Sequence, residues 1–252
     1  MTNLVMKFIQ WNMKVSQAFD RMLPAKYRID GNRFFLDNFA PTYIESGLII
    51  YDIGGGKQPY INIDLKNRLK LNIIGLDIDQ NELDRAPKEA YDQKICADIT
   101  QFRGKSDADL VICQALFEHV KNVDQAFAAI ASILKPGGLA LIFVPCRNAP
   151  YARLNMMFPQ NFKKTLLHTV YPKSRESQGF PAYYDRCTPR DFRRLAGQYN
   201  LSVEKETFHY ITSYFFFFFP LYLVWRIWVL TFHAIVSEQA AESFCMALRK
   251  SS

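Results

Sequence analysis

A chain of 252 residues that is 49% hydrophobic and 22% charged has the size and apolar content of a folded α/β unit with insertions, which excludes a disordered chain. Its net charge of +7 favours anionic partners, either phosphate-bearing substrates or an acidic membrane surface, and no nucleic-acid motif accompanies it. Cys96, Cys113, Cys146, Cys187 and Cys245 are scattered, with no C-x-x-C pair and no histidine at zinc spacing, so free thiols in a reducing cytoplasm and no metal site are expected.

The first predicted element is a helix. Leu4, Val5, Phe8, Trp11, Val15, Phe19 and Met22 recur at three- and four-residue steps up to a stop near Pro24. Such a helix packs over the domain, or acts as a lid or a membrane-touching element. Lys7 and Lys14 interrupt the apolar residues, so no export signal is expected. Residues 1–45 are thus a helical extension, and residues 46–252 the main domain.

Strands are predicted at 48–53, 72–77, 94–97, 110–113 and 139–144, with helical patterns between several of them. The first strand runs into Asp52, Gly54, Gly55 and Gly56, a turn that lets backbone approach a ligand closely. The second ends in Asp77, 21 residues beyond Gly56, placed to accept from the two hydroxyls of a ribose. A helix over 124–134 is expected to stop at Lys135-Pro136-Gly137-Gly138 and reverse the chain there. The alternation implies a parallel sheet, with residues 54–56, Asp77, Asp98 and Gln114 gathered beyond the carboxyl ends of its strands.

Residues 146–187 lack periodicity and read as a cover over the substrate. Between Arg147 and Arg190, eight Lys or Arg stand against Glu176 and Asp185, and His168, Tyr151, Tyr183, Tyr184 and Asp185 can contact an acceptor. The basic balance is either a solvated surface or a cover for an anionic or sugar-bearing acceptor. A helix over 188–199 follows, with Thr188 as its cap and Pro189 at its first position, and strands at 201–211 and 243–249 close the chain.

The ordered series Asp52-Ile53-Gly54-Gly55-Gly56, Gly75-Leu76-Asp77-Ile78-Asp79, Ala97-Asp98-Ile99, the run from Ala108 to Val120 and Leu134-Lys135-Pro136-Gly137-Gly138 resembles a class I S-adenosylmethionine-dependent methyltransferase, of the type 11/23 kind. The resemblance implies a Rossmann-like α/β fold, a seven-stranded methyltransferase sheet with helices on both faces. It also implies roles. Gly54, Gly55 and Gly56 pass beside the methionine part of S-adenosyl-L-methionine, and Asp52 orients that part. Asp77 binds the ribose and Ile78 lies against adenine. Asp98 accepts from the adenine amine, Ile99 offers its amide, and the carbonyl of Gln114 meets the ammonium group. Asp79 reads as a helix cap, and Lys57 as either a carboxylate partner or a solvated lysine.

Methyl transfer needs the acceptor held in line with water excluded, and a hydroxyl acceptor gains from a general base. His119, His168 and Tyr184 are the candidates for catalysis. Some related quinone-precursor enzymes carry E-x-x-E-H and a metal, but Ala115 occupies the first acidic position here. The rival ligand is a nicotinamide dinucleotide, whose fingerprint needs a third glycine where Pro59 stands. A cofactor-binding scaffold without turnover is the non-enzymatic alternative. The expected acceptor is a hydroxyl of a glycan, lipid-linked or small-molecule substrate.

Residues 213–232 are long and apolar enough to span a membrane, but Pro220 and Arg226 interrupt them. The segment joins two strands of one sheet, so its ends return to the same side. It is therefore expected to be a Phe-rich membrane-type hairpin over 213–236, or an interfacial helix, with Tyr222, Trp225 and Trp228 at headgroup level; a buried helix or dimer interface is the alternative. The resulting expectation is a cytoplasmic protein peripheral on the inner face of a membrane.

Overall fold

The computed structural model of the chain describes residues 2–157, 180–212 and 215–251. Its β-branched, apolar runs form the strands β1 (Ile49–Ile53), β2 (Asn72–Asp77), β3 (Gln93–Cys96), β4 (Ala108–Gln114), β5 (Leu134–Pro145), β6 (Leu201–His209) and β7 (Ser243–Lys250). They make one seven-stranded sheet in the order β3-β2-β1-β4-β5-β7-β6. The first five strands are parallel neighbours, while β7 runs antiparallel to both β5 and β6. Chain order reverses between β1 and β4, the switch point that opens a crevice beyond their carboxyl ends.

Strand alternation divides the core between the two sheet faces. Tyr51, Ile53, Val111 and Cys113 join one buried cluster, under the helices α5 (Val123–Ile133) and α7 (Pro189–Gln198). Ile50, Ile73, Leu110 and Ile112 join the other. The second face is covered partly by the short helices α3 (Ile63–Leu69) and α4 (Gln80–Asp84). It is also covered by Phe35, Phe39 and Ala40, which follow the helix α2 (Gly31–Phe34) and are fully buried. Part of residues 31–43 thus belongs to the core, through Gly31, Phe35, Phe39 and Ala40, while the helix α1 (Thr2–Met22) stands outside the two layers. A short helix α6 (Pro150–Met157) begins the segment after β5.

Two expectations need correction. Residues 135–138 do not separate a helix from a strand. Leu134 already pairs with Ala108, Leu139 pairs with Leu110, and the residues between them bulge opposite Asp109, with Gly137 at φ +78°. The Phe-rich segment is not a hairpin. It forms one helix, α8 (Phe219–Val236), and Pro220 sits in its first turn, where proline starts a helix rather than breaking it. The cap of α7 is as expected: Thr188 Oγ1 accepts from the Asp191 amide at 3.1 Å.

Candidate active site

The glycine turn leaves β1 with Gly54 at φ +80°, a conformation that costs an L-residue about 1 kcal/mol or more. Gly55 has a different reason to be glycine. A Cβ there would stand 2.5 Å from Asp52 Oδ2 and 2.7 Å from the Tyr91 hydroxyl. Asp52 is buried beneath the turn, accepting from the Tyr60 amide at 2.8 Å and from Tyr91 at 3.3 Å. The Tyr91 hydroxyl also lies 3.2 Å from the Gly56 carbonyl, so this side chain ties the turn to the carboxylate. Burial pushes the Asp52 carboxyl up to about 6, against these two hydrogen bonds and with a further push from the Asp77 charge. Neither Tyr60 nor Tyr91 carried a motif signal: Tyr60 acts through its backbone amide, which any residue but proline supplies, and Tyr91 lies 39 residues from Asp52.

Asp77 ends β2 and is buried beside the turn, with Oδ1 accepting from the Asp79 amide at 3.0 Å. A Cβ on Gly56 would lie 3.1 Å from Asp77 Oδ2, so that oxygen faces the glycine turn. Burial raises the Asp77 carboxyl, against the Asp79 amide and helped by the neighbouring Glu82 charge. Ile78 is 58% exposed, an apolar side chain in reach of a flat ring at the rim. Asp98 is half-buried and its Oδ1 accepts from the amide and the hydroxyl of Thr100, both at 2.8 Å. Ile99 beside it is buried. Gln114 ends β4, and its Nε2 donates to Asn32 Oδ1 at 2.8 Å, which brings α2 over the crevice. Asn32 is a rim residue that the sequence pattern did not single out.

The peripheral candidates separate clearly. Asp79 caps α4, and Lys57 pairs with Glu82 at 3.1 Å. Asp185 caps α5 through the Val123 amide at 3.0 Å, and Arg186 pairs with Asp124 at 3.3 Å. Tyr184 is buried in the core at φ +52°, whereas Tyr183 is exposed and carries Lys121 over its ring at 5.4 Å. His168 lies outside the described residues.

After β4 the chain turns through Ala115, a non-glycine residue at φ +51°, into a single 3-10 turn at Phe117–His119. This strained turn sets His119 on the crevice side of β4. Its Nδ1 lies 3.0 Å from the Pro181 carbonyl. A carbonyl only accepts, so Nδ1 carries the proton of the neutral ring and the lone pair is on Nε2. The neighbouring Glu118 is buried, with Oε2 unpartnered among the described residues, and burial pushes its carboxyl up to about 8. Its Oε1 lies 3.8 Å from His119 Nε2.

This donor set fits S-adenosyl-L-methionine: a carboxylate oxygen facing the turn, an exposed apolar residue for adenine, and backbone left open by glycine. It does not fit a nicotinamide dinucleotide. Residues 54–62 separate β1 from α3, so no helix N-terminus follows the glycines directly to meet a pyrophosphate.

A methyltransferase-domain family model matches residues 51–142. The chain is 30% identical over 104 residues to a tRNA (carboxymethyluridine(34)-5-O)-methyltransferase of Mus musculus, covering 40% of this chain and 15% of that protein. It is 30% identical over 112 residues to a ubiquinone biosynthesis O-methyltransferase of Rhodopseudomonas palustris (strain BisB18), covering 41% of this chain and 42% of that one. The matches therefore span less than half the length of these curated relatives. Among solved structures, a phosphoethanolamine N-methyltransferase 2 of Haemonchus contortus in complex with S-adenosyl-L-methionine superposes with a TM-score of 0.54 at 17% identity, covering 88% of this chain and 52% of that one. An S-adenosylmethionine-dependent methyltransferase from Mesorhizobium loti gives 0.54 at 15% identity, covering 85% and 100%. Both likenesses are of fold. With Asp52, the glycines 54–56, Asp77, Asp98 and Gln114 at the carboxyl ends of the strands where this fold puts a ligand, the chain contains a methyltransferase domain of the S-adenosylmethionine-dependent kind.

Proposed function

We propose that the protein transfers a methyl group from S-adenosyl-L-methionine to a hydroxyl oxygen of a small, glycan or lipid-linked acceptor, working in the cytoplasm at the inner face of a membrane. The observation that carries this reading is Asp77 beside the glycine turn at the neighbouring ends of β2 and β1, next to the β1/β4 switch point, with His119 on the same edge. Oxygen is favoured as the attacked atom because both relatives at 30% identity are O-methyltransferases by name. When bound, the cofactor supplies an electrophilic methyl group on a sulfonium. Asp77 accepts from the ribose hydroxyls, Ile78 covers one adenine face, and Tyr91 and Asp52 hold the turn in shape. Nε2 of His119 takes the proton that the acceptor hydroxyl loses as its oxygen bonds to carbon. The basic residues of 146–187 add an anion-recognising cover, and the exposed apolar helices give the membrane contact.

Calorimetry with S-adenosylhomocysteine and with NADH tests the cofactor; binding of NADH alone ends the proposal. Turnover is read as S-adenosylhomocysteine released when lipid or sugar extracts are added. His119→Ala should keep the calorimetric affinity and lose kcat by about a hundredfold or more, with partial recovery at alkaline pH. Unchanged kcat in that variant would remove His119 as the base.

A further inference from the structure

The helices α1 and α8 are packed together inside out. Asn12, Ser16 and Asp20 repeat at four-residue steps along α1 and all three are buried. They face the start and the polar stripe of α8. Asn12 Oδ1 accepts from the Phe219 amide at 2.8 Å, and the Ser16 hydroxyl donates to the Phe216 carbonyl at 3.3 Å. Asp20 receives the Tyr222 hydroxyl and pairs with Arg226 Nε at 3.0 Å, and Arg226 is fully buried. Tyr222 and Trp225, expected at headgroup level, are instead buried on this inner face, because Arg226 turns it toward the protein.

What remains outside is apolar. On α1, Leu4, Phe8 and Trp11 are exposed, Trp11 at 61%. On α8, Leu221, Val224, Ile227, Trp228 and Ile235 are exposed, Trp228 at 59%, and Arg226 is the only Lys, Arg, Asp or Glu in the helix. A helix in water buries its apolar stripe and solvates its polar one. Here the seam takes in Asn12, Ser16, Asp20 and Arg226 together with Tyr222, Trp225 and Val229, and a second apolar row on each helix is left facing outward, which suits a hydrocarbon surface. The apolar row of α1 is bordered by Lys7, Lys14 and Arg21 at seven-residue steps, all exposed. Lys7 and Lys14 lie one helical turn to either side of Trp11, and Lys26 and Arg28 continue the basic border beyond the helix.

We infer that α1 and α8 together form a docking face for an anionic lipid bilayer, lying in its surface with Trp11 and Trp228 as anchors and the basic row at the headgroups. A second copy of the chain is a poorer occupant, since a two-fold contact through this face brings the cationic borders together. The topology also orients the protein. Ser243 of β7 lies opposite both Pro145, at the carboxyl end of β5, and His209, at the carboxyl end of β6. The helix α8 therefore leaves and returns at the same sheet edge that carries the glycine turn and His119. The docked protein keeps its acceptor end beside the bilayer. The lipid contact itself does not depend on the catalytic assignment.

The test is co-flotation of the full chain with phosphatidylglycerol-containing vesicles and with pure phosphatidylcholine vesicles. The protein should float with the first, and each of Lys7→Glu, Lys14→Glu and Arg21→Glu should lower that partition about fivefold or more. Trp11→Glu with Trp228→Glu places charge on outward side chains and should leave the protein at the bottom, with its S-adenosylhomocysteine affinity unchanged. That affinity separates a failed dock from a failed fold, and from a failed cofactor assignment. The inference is overturned if the folded protein stays down with both vesicles. It is also overturned if the double Trp variant floats like the wild type, or if the same variant converts a vesicle-indifferent dimer into a monomer.

Discussion

The half of the sheet around β1, β2 and β4 and the helix pair α1/α8 solve burial in opposite ways. Around β1, apolar strand residues are interior, and the polar groups at the rim hold one another in place, Asp52 through Tyr60 and Tyr91 and Asp77 through Asp79. In the helix pair Asn12, Ser16, Asp20 and Arg226 are interior beside Tyr222, Trp225 and Val229, and a second apolar row is left outside. The first arrangement is complete in water and specifies a ligand through a few oriented oxygens. The second is complete only against an apolar surface. A site for a small molecule and a site for a surface are therefore told apart by which side chains are left exposed, rather than by how many.

The largest expected effect tests the inverted seam. Arg226→Met leaves Asp20 buried without its cation, and losing one partner of a buried pair costs about 3–5 kcal/mol. Burial already raises the Asp20 carboxyl despite Tyr222 and Arg226, so proton uptake should hold the loss near the lower bound. Asp20→Asn combined with Arg226→Met should recover part of it in urea melts. If the single variant melts like the wild type, the seam does not hold the helices.

The next effect belongs to the rim. Asp77→Ala removes the proposed acceptor for the two ribose hydroxyls, and charged hydrogen bonds are worth about 1.5–3 kcal/mol each, so the affinity for S-adenosylhomocysteine should fall about a hundredfold or more. The same variant should still float with anionic vesicles. An equal loss in both measurements would mean that the two regions are not independent.

How far the sequence displayed each region follows from the range of the interactions. The strands β1, β2 and β4, the turn at 54–56 and the Thr188 cap rest on contacts within a few residues, so periodicity and cap chemistry located them. Tyr91 under Asp52 and Asn32 over Gln114 are contacts across 39 and 82 residues, and a single sequence carries no trace of them. The helix α1 was legible as amphipathic, but not which face points inward. Inward packing of the apolar stripe is the ordinary outcome, and only the partners on α8 reveal that Asn12, Ser16 and Asp20 take it instead. The bulge at 135–138 was hidden because Pro and Gly end a helix and interrupt a strand with the same residues.

The smallest effect lies where the two regions meet. Glu242 precedes β7 at the root of α8, buried, with Trp225 Nε1 donating to Oε1 at 3.2 Å and Oε2 unpartnered among the described residues. Burial pushes its carboxyl from 4.5 up to about 8, against the Trp225 bond and the Arg226 charge. A folded pKa above the unfolded one means that the folded state holds the proton through that window. The stability contribution is full below about 4.5 and lost as pH rises through about 8. Glu118 has the same sign and the same window, and Asp52 the same sign up to about 6. His209, which burial lowers to about 4, has the opposite sign but acts only below its ordinary value of 6.5. Between about pH 7 and about pH 8 the carboxyls therefore set the slope and Tm should fall; above that the buried thiols of Cys113, Cys146, Cys187 and Cys245, raised by burial from 9.0, add a loss of the same sign. Glu242→Gln should keep the Trp225 bond and flatten part of that fall, leaving the share due to Glu118 for Glu118→Gln to remove. Because Glu242 supports α8 and not the glycine turn, its variant should leave cofactor affinity unmoved. An identical melting slope in the variant and the wild type would mean that the root of α8 is solvated, and the helix pair would then be looser than its hydrogen bonds require.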